Sequence, residues 1–192
     1  MTDPEAGWWR RARARHSRAF RAHCQFETLD GPASKRSFRQ WFLLTKGPQN
    51  IGDMLPTDWG EGWPHVCLGT TTENQEEANR CIPHLVAIPA AVRFLSAEPM
   101  VGPVDLTPWL MLPSQDRRAP ISWIIVGGES GGGARPMHPD WVRGLRDQVS
   151  SAGAKLFIKQ IVSNHALWPG VTRKGEDPAQ WTADLGVQEV PQ

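Results

Sequence analysis

Charged side chains follow five short apolar runs of this sequence, each at the point where a run ends. The runs are residues 40–46 (QWFLLTK), 65–73 (HVCLGTTTE), 92–99 (VRFLSAEP), 123–130 (WIIVGGES) and 156–160 (LFIKQ). The charged residues at their ends are Lys46, Glu73, Glu98, Glu129 and Lys159. Such a set suits anchoring of a zwitterionic ligand or proton transfer, with Glu98, Glu129 and Lys159 as candidate catalytic residues. A structural network of ion pairs is the alternative.

These runs have the composition of strands that are buried on both faces. Each is apolar at its start without strict alternation, and helical or turn-rich stretches separate them, which is the pattern of a parallel sheet built from βα repeats. Ligands bind at the carboxyl ends of the strands in such folds. The sequence therefore predicts an α/β fold in which the charged residues share one rim. The residues predicted to bind a cofactor there are Lys46, Glu73, Asn74, Gly127, Gly128, Ser130 and Arg135.

The stretch WIIVGGESGGGARPMHPDW, which begins at Trp123, places five glycines close to a glutamate. Gly127 and Gly128 would let the backbone turn sharply and approach a ligand, because glycine has no Cβ and accepts positive φ. Glu129 would then point into the rim, and Arg135 precedes a helix whose N-terminus could help to hold an anion. The spacing fits neither G-x-G-x-x-G nor a P-loop. A plain mobile loop is the competing interpretation.

One pattern in this stretch matches a nucleophile motif. Residues 128–132 (GESGG) fit G-x-S-x-G after a strand, which makes Ser130 a candidate nucleophile of a serine hydrolase. In that motif the serine leads directly into a helix, whereas nine residues, including Pro136 and Pro139, separate Ser130 from Asp140. The spacing disfavours a hydrolase, which is the third functional hypothesis.

Two helices are predicted between the strands. Asn74, with a glutamate three residues later, resembles a capping box that opens a helix over residues 75–81, and Pro83 then breaks or restarts that helix. A second helix is predicted over residues 141–151, with Gly153 as its stop.

The composition is that of an ordinary folded protein. Of 192 residues, 40% are hydrophobic and 21% are charged, which excludes collagen-like and disordered classes. No apolar run approaches the roughly 18 to 20 residues of a membrane-spanning helix, and the N-terminus lacks the apolar core of a signal peptide. We therefore expect a cytoplasmic protein without membrane contact. Three widely spaced cysteines fit reduced thiols, and no C-x-x-C pair predicts a metal site.

Positive charge is concentrated near the N-terminus. Residues 1–39 hold nine Lys or Arg and four Asp or Glu, a formal charge of +5, so the remaining residues carry −4 of the net +1. We expect a helix over about residues 5–24 with arginines around it. Such a segment could bind the phosphates of a nucleic acid, and a helix that faces solvent is the alternative.

Several stretches resemble a known family. They are FLLTKGPQNI, CLGTTTENQEEANRCIPHL, IPAAVRFLSAEPMVGPVDL, and WIIVGGESGGGARPMHPDWVRGLRDQ with FIKQ. Covering roughly residues 40–160, they resemble the phage and prophage gene-product thirty-seven/sixty-eight family, a group of uncharacterised, radical-S-adenosylmethionine-like proteins. The resemblance implies a partial (β/α) barrel, TIM-like and of the radical-S-adenosylmethionine type, with about five parallel strands. It also implies that Gly127, Gly128 and Glu129 hold the amino group of S-adenosylmethionine, as the Gly-Gly-Glu motif of those enzymes does.

The chain departs from that family in its cysteines. Members usually begin with a three-cysteine segment that looks like the ligand set of a [4Fe–4S] cluster. Here Cys24, Cys67 and Cys81 are far apart, with gaps of 67 − 24 = 43 and 81 − 67 = 14 residues. No cofactor is therefore expected for this chain alone, and S-adenosylmethionine and the cluster are implied by the resemblance only. We expect an N-terminally shortened relative that is not catalytically competent by itself.

The predicted organisation has three parts. Residues 1–39 form a basic, helical segment, residues 40–160 form the partial barrel, and residues 161–192 form a loop-rich tail from which Trp168 and Trp181 pack back. The first functional hypothesis is a radical-S-adenosylmethionine-like phage protein of unknown substrate. The second is a non-catalytic module that binds a nucleotide-like ligand or nucleic acid. A partial barrel also exposes strand edges, which invite pairing with a second copy or a partner protein.

Overall fold

The computed structural model describes residues 20–22, 40–111, 120–161, 167–171 and 175–191, and for residues 20–22 it describes the backbone alone. The strands in these ranges are β1 (Phe20–Ala22), β2 (Trp41–Thr45), β3 (Val66–Thr71), β4 (Val92–Ala97), β5 (Trp123–Gly127) and β6 (Lys155–Gln160). The α-helices are α1 (Ile51–Met54), α2 (Gln75–Val86), α3 (Thr107–Leu110) and α4 (Pro139–Ala152). Each of the five strands predicted from the sequence is confirmed to within three residues at either end.

The strands form one sheet in chain order, from β1 at one edge to β6 at the other. Strands β2 to β6 are parallel to their neighbours, and β1 pairs antiparallel with β2. The sheet is not closed. The prediction of an α/β fold with about five parallel strands is therefore confirmed.

Neighbouring segments of the chain cover part of both outer edges of the parallel sheet. On one side, β1 lies along residues 43–45 of β2. On the other side, the Ile158 N–H donates to the Val187 carbonyl and the Glu189 N–H donates to the Leu156 carbonyl, both at 2.8 Å. The expectation of exposed strand edges is wrong at these positions, because the chain itself pairs with the backbone groups that would recruit another strand.

The two faces of the sheet carry different side chains, because successive residues of a strand point to opposite sides. One face packs against α2 and α4, and its aliphatic residues include Leu43, Leu68, Leu95, Ile124 and Ile158. The opposite face, which we call the aromatic face, carries Phe42, Cys67, Phe94, Trp123 and Phe157. Three of its rings, those of Phe42, Phe94 and Trp123, have centroids 5.4, 5.8 and 5.9 Å apart. The main hydrophobic core therefore lies on the helix side of the sheet.

Helix α2 begins as predicted and continues further than predicted. The Asn74 side chain accepts a hydrogen bond from the Glu77 N–H at 3.0 Å, which satisfies one of the free N–H groups of the first turn. Pro83 lies inside the helix and does not break it. Pro83 removes the helical donor for the carbonyl of Asn79, but both residues are exposed and solvent can reach them. Burial of the opposite face, including Ile82, holds the helix together across the proline.

Helix α4 has the predicted boundaries to within two residues. His138 is its N-cap, Pro139 occupies the first turn, and Gly153 ends the helix in the left-handed conformation with φ of 68°. A residue with a Cβ is strained in that conformation, whereas glycine is not.

The tail returns to the core, as predicted for its two tryptophans. Trp168 and Trp181 are buried. The Trp168 indole N–H donates to the Met137 carbonyl at 2.7 Å, and the Trp181 indole N–H donates to the Gly175 carbonyl at 3.1 Å. The tail shares the core of the sheet and its helices.

The basic N-terminal segment lies mostly outside the described residues. Of the helix predicted over about residues 5–24, the structure describes Phe20–Ala22, which form β1, so the helix prediction is wrong for these three residues. Pairing with β2 supplies them with backbone partners that a local charge pattern does not reveal. In the parts of the chain that the structure describes, no helix combines the length and apolar character needed to cross a membrane.

Two glycines of α4 are expected to respond to alanine with opposite signs. Gly153→Ala should lower the free energy of unfolding by about 1 kcal/mol, because the left-handed conformation is unfavourable for alanine. Gly144→Ala, at an exposed position with open space around it, should raise that energy by about 0.5 to 1 kcal/mol, because alanine favours a helix interior. Urea unfolding of both variants measures the difference, and equal effects would contradict the assigned helix end.

Candidate ligand-binding rim

The five charged residues lie at the carboxyl ends of the five parallel strands. Lys159 is within β6, Lys46 and Glu98 directly follow β2 and β4, and Glu73 and Glu129 lie two positions beyond β3 and β5. We call Lys46, Glu73, Glu98, Glu129 and Lys159 the rim. The structure joins Lys46 to Glu73 and Lys159 to Glu98 in ion pairs, and Glu129 pairs with Arg135.

Two glutamate–lysine ion pairs lie in the rim, whose three glutamates follow the inner strands β3, β4 and β5 and whose lysines belong to the outer strands β2 and β6. Lys46 forms an ion pair with Glu73. The ammonium nitrogen of Lys159 lies 3.3 Å from Oε1 of Glu98. The two carboxylate side chains are each 21% exposed, whereas the lysine side chains are 70% and 53% exposed. The carboxylates therefore form the floor of the rim, and the ammonium groups lie above them in solvent.

Glu129 is bound by Arg135, which the sequence had assigned to anion binding. Oε2 of Glu129 accepts from the backbone N–H and from Nε of Arg135, both at 2.8 Å, and Oε1 accepts from Nη2 at 2.9 Å. The guanidinium hydrogen bonds are the main cause that lowers the pKa of Glu129 to about 2, and the backbone hydrogen bond adds to them. The pair joins the two ends of residues 129–135, which we call the glycine-rich loop. The hydrogen bonds to Glu129 are the main cause that raises the pKa of Arg135, and the charge of Glu73 adds a smaller effect in the same direction.

The two glycines at the end of β5 do not act through positive φ. Neither Gly127 nor Gly128 has a positive φ, so the part of the prediction that rests on positive φ is wrong, whereas the part that rests on the missing Cβ is not contradicted. At Gly127 the reason is space, since a Cβ there would lie 2.4 Å from Oε1 of Glu98. Gly128 is held at the strand end, where its N–H donates to the carbonyl of Gln160 and its own carbonyl accepts from the Gln160 side chain, both at 3.1 Å.

Two predicted binding residues have other positions. Asn74 is the N-cap of α2, so its side-chain oxygen is engaged by the helix. Ser130 is exposed at the start of the glycine-rich loop, and α4 begins nine residues later, at Pro139. His138, the nearest described histidine along the chain, accepts from the Asp140 N–H through Nδ1 at 3.2 Å. The strand–serine–helix turn of a nucleophile elbow is therefore not formed.

Two residues that were not among the predicted binding residues support the rim. Ser96 Oγ lies 3.3 Å from Oε2 of Glu98, and the Gln160 amide holds the Gly128 carbonyl. Both stand at strand ends, and this position is the only sequence signal that could have singled them out.

One comparison with known proteins gives a family. The sequence model of a family described as "Protein of unknown function (DUF5131)" matches residues 28–179. The chain belongs to the DUF5131 family. No curated protein and no solved structure matches it. The matched range includes every residue of the rim, so the rim lies within the part of the chain that the family shares.

The positions of the cysteines in this DUF5131 protein determine whether their thiols could bind one iron–sulfur cluster. Cys67 lies in the aromatic face, where burial raises the pKa of its thiol to about 12. Cys81 lies on α2, on the helix side, where burial also raises its pKa and where it interacts with Thr70. The sheet separates the two thiols, so they do not fit one cluster, and Cys24 is outside the described residues. Within the described ranges, no group of three or more His, Cys, Asp or Glu side chains could hold a metal ion.

Removing the Arg135 guanidinium is expected to raise the pKa of Glu129 from about 2 toward its ordinary value of 4.5. Because the pKa is depressed in the folded protein, the contribution of the pair to stability is present above pH 4.5 and is lost as the pH falls toward 2. A ¹³C NMR titration of the glutamate carboxyls in Arg135→Ala measures the change. Arg143→Ala, which removes an arginine bound to Asp140 and Asp184 instead, is the control. A Glu129 midpoint that stays near 2 in Arg135→Ala would contradict the assignment.

Proposed function

We propose that this chain is a radical-S-adenosylmethionine-like partial (β/α) barrel that binds S-adenosylmethionine, or a similar zwitterionic nucleoside, on its rim. The proposal depends mainly on one observation. A charged side chain lies at the carboxyl end of each of the five parallel strands, and two glutamate–lysine pairs are formed there. The two described cysteines, Cys67 and Cys81, lie on opposite sides of the sheet, so no iron–sulfur cluster is assigned to them.

The strand order supports a barrel ancestry. In doubly wound sheets the strand order reverses at a switch point, and helices cover both faces. Here β2 to β6 follow one another without reversal, and α2 and α4 pack on one face. The other face carries large apolar side chains, which in a closed barrel fill the interior. These features favour a segment of a barrel over a doubly wound fold.

The charges of the rim suit a ligand that carries both an ammonium group and a carboxylate. Such a ligand can replace a glutamate–lysine pair without a change in net charge, with its ammonium group on the glutamate and its carboxylate on the lysine. The lysines are more than half exposed, so they can move to meet it. As structural elements the Lys46–Glu73 and Lys159–Glu98 pairs contribute little, because exposed ion pairs stabilise a fold by about 0 to 1 kcal/mol.

The positions of the cysteines support a proposal that is limited to ligand binding and includes no radical reaction. Cys67 and Cys81 lie on opposite sides of the sheet, so this chain does not bring them together as cluster ligands. No radical step is therefore assigned to these residues, and their proposed work is to bind and orient the ligand.

Nucleic-acid binding is the second candidate function. It rests on the charge of +5 in residues 1–39 against −4 in the rest of the chain, since clustered Lys and Arg attract phosphates. It is independent of the rim, and the two functions are compatible in one chain.

Isothermal titration with S-adenosylmethionine tests the first proposal. We expect wild-type protein to bind and Glu98→Gln to raise Kd about tenfold, because one charge-assisted hydrogen bond to the ligand is lost. Glu61→Gln removes an exposed carboxylate from the loop before β3, at the opposite end of the sheet, and should leave Kd unchanged. The melting temperature of Glu98→Gln should change little. A wild-type protein that does not bind overturns the proposed ligand, and a large loss of stability in Glu98→Gln favours a structural ion network.

A further inference from the structure

The side chain of Glu98 lies directly over the backbone of Gly127. A Cβ built on Gly127 would be 2.4 Å from Oε1, 3.0 Å from Cγ and 3.1 Å from Cδ of Glu98. Apart from the chain neighbours of Gly127, no other residue that the structure describes approaches that position as closely. Any side chain at residue 127 must therefore move the Glu98 carboxylate, which is the free end of a flexible side chain. The fold itself has little reason to require glycine at this position.

Glu98 keeps hydrogen-bonding capacity that Glu129 does not. Among the described residues its polar neighbours are Lys159 and Ser96, each at 3.3 Å, which is long for bonds to a carboxylate. Glu129 accepts three hydrogen bonds of 2.8 to 2.9 Å from Arg135. A ligand ammonium group can thus bind Glu98 by displacing a weakly held lysine, whereas at Glu129 it would have to displace a bidentate guanidinium.

We propose that Gly127 is a positioning residue for Glu98. Because Gly127 has no side chain, the Glu98 carboxylate can lie over it, where it binds the ligand's ammonium group. Lys159, once displaced, binds the ligand's carboxylate. Glu129 does not contact the ligand and closes the glycine-rich loop through Arg135. The assignment rests on the proposed function, and it names Glu98, which directly follows the central strand of the five parallel strands, as the first contact for the ligand.

The effect of Gly127 on the position of the Glu98 side chain can be tested without any ligand. The ¹⁵N signal of the Lys159 ammonium group reports its contact with Glu98. Gly127→Ala should move that signal to the position found in Glu98→Ala, with little change in melting temperature. Gly132→Ala is the matched control, because Gly132 lies in the following loop with open space around it and without a positive φ. It should leave the signal unchanged. A Lys159 signal that is unaffected by Gly127→Ala would contradict the claim that Gly127 positions the Glu98 carboxylate.

A double-mutant cycle tests whether Gly127 acts through Glu98. We expect Gly127→Ala to raise the Kd for S-adenosylmethionine about tenfold in the wild type and to have no effect in Glu98→Ala, where no carboxylate is left to displace. Equal weakening in both backgrounds would overturn the positioning role. If wild-type protein does not bind S-adenosylmethionine, the proposed function fails together with the receiving role of Glu98, while the Lys159 signal still decides whether Gly127 seats that carboxylate.

Discussion

The common direction of the five parallel strands is the constraint on which the rim depends. The strands run in chain order, so their carboxyl ends meet along one edge of the sheet. Lys159 lies in β6, and the other four charged residues follow their strands within two positions. The apolar runs therefore fix both the fold and the edge at which the charges lie.

The electrostatics of the rim distinguish its three carboxylates. Glu73 and Glu98 each contact an exposed lysine, and Glu129 is bound through three hydrogen bonds to an arginine of its own loop. Ion pairs with flexible lysines exchange readily with a ligand, because the competing interaction is weak in solvent. A bidentate arginine pair is harder to replace. The same chemical group is thus held by a mobile lysine at one strand end and by an arginine of its own loop at another.

The sequence predicts most of the elements and less of the contacts between them. The five apolar runs, the Asn74 cap and the stop at Gly153 are local patterns, and each is confirmed. The prediction that Pro83 breaks or restarts α2 is wrong, because burial of the opposite face of the helix outweighs one lost hydrogen bond. The pairing of β1 with β2 and of the tail with β6 joins segments that are distant in the chain, so no local pattern reveals it. The reason for glycine at residue 127 is likewise a contact between two strands.

Chemical-shift mapping tests the central claim, that ligands bind at the carboxyl ends of the parallel strands. The measurement is a titration of ¹⁵N-labelled protein with S-adenosylmethionine, followed in ¹H–¹⁵N spectra. The account predicts shifts at the ends of β2 to β6 and in the loop that follows β5, with no change near Trp59 and Trp63 at the opposite end of the sheet. Shifts confined to that opposite end, or a spectrum without change, would contradict it.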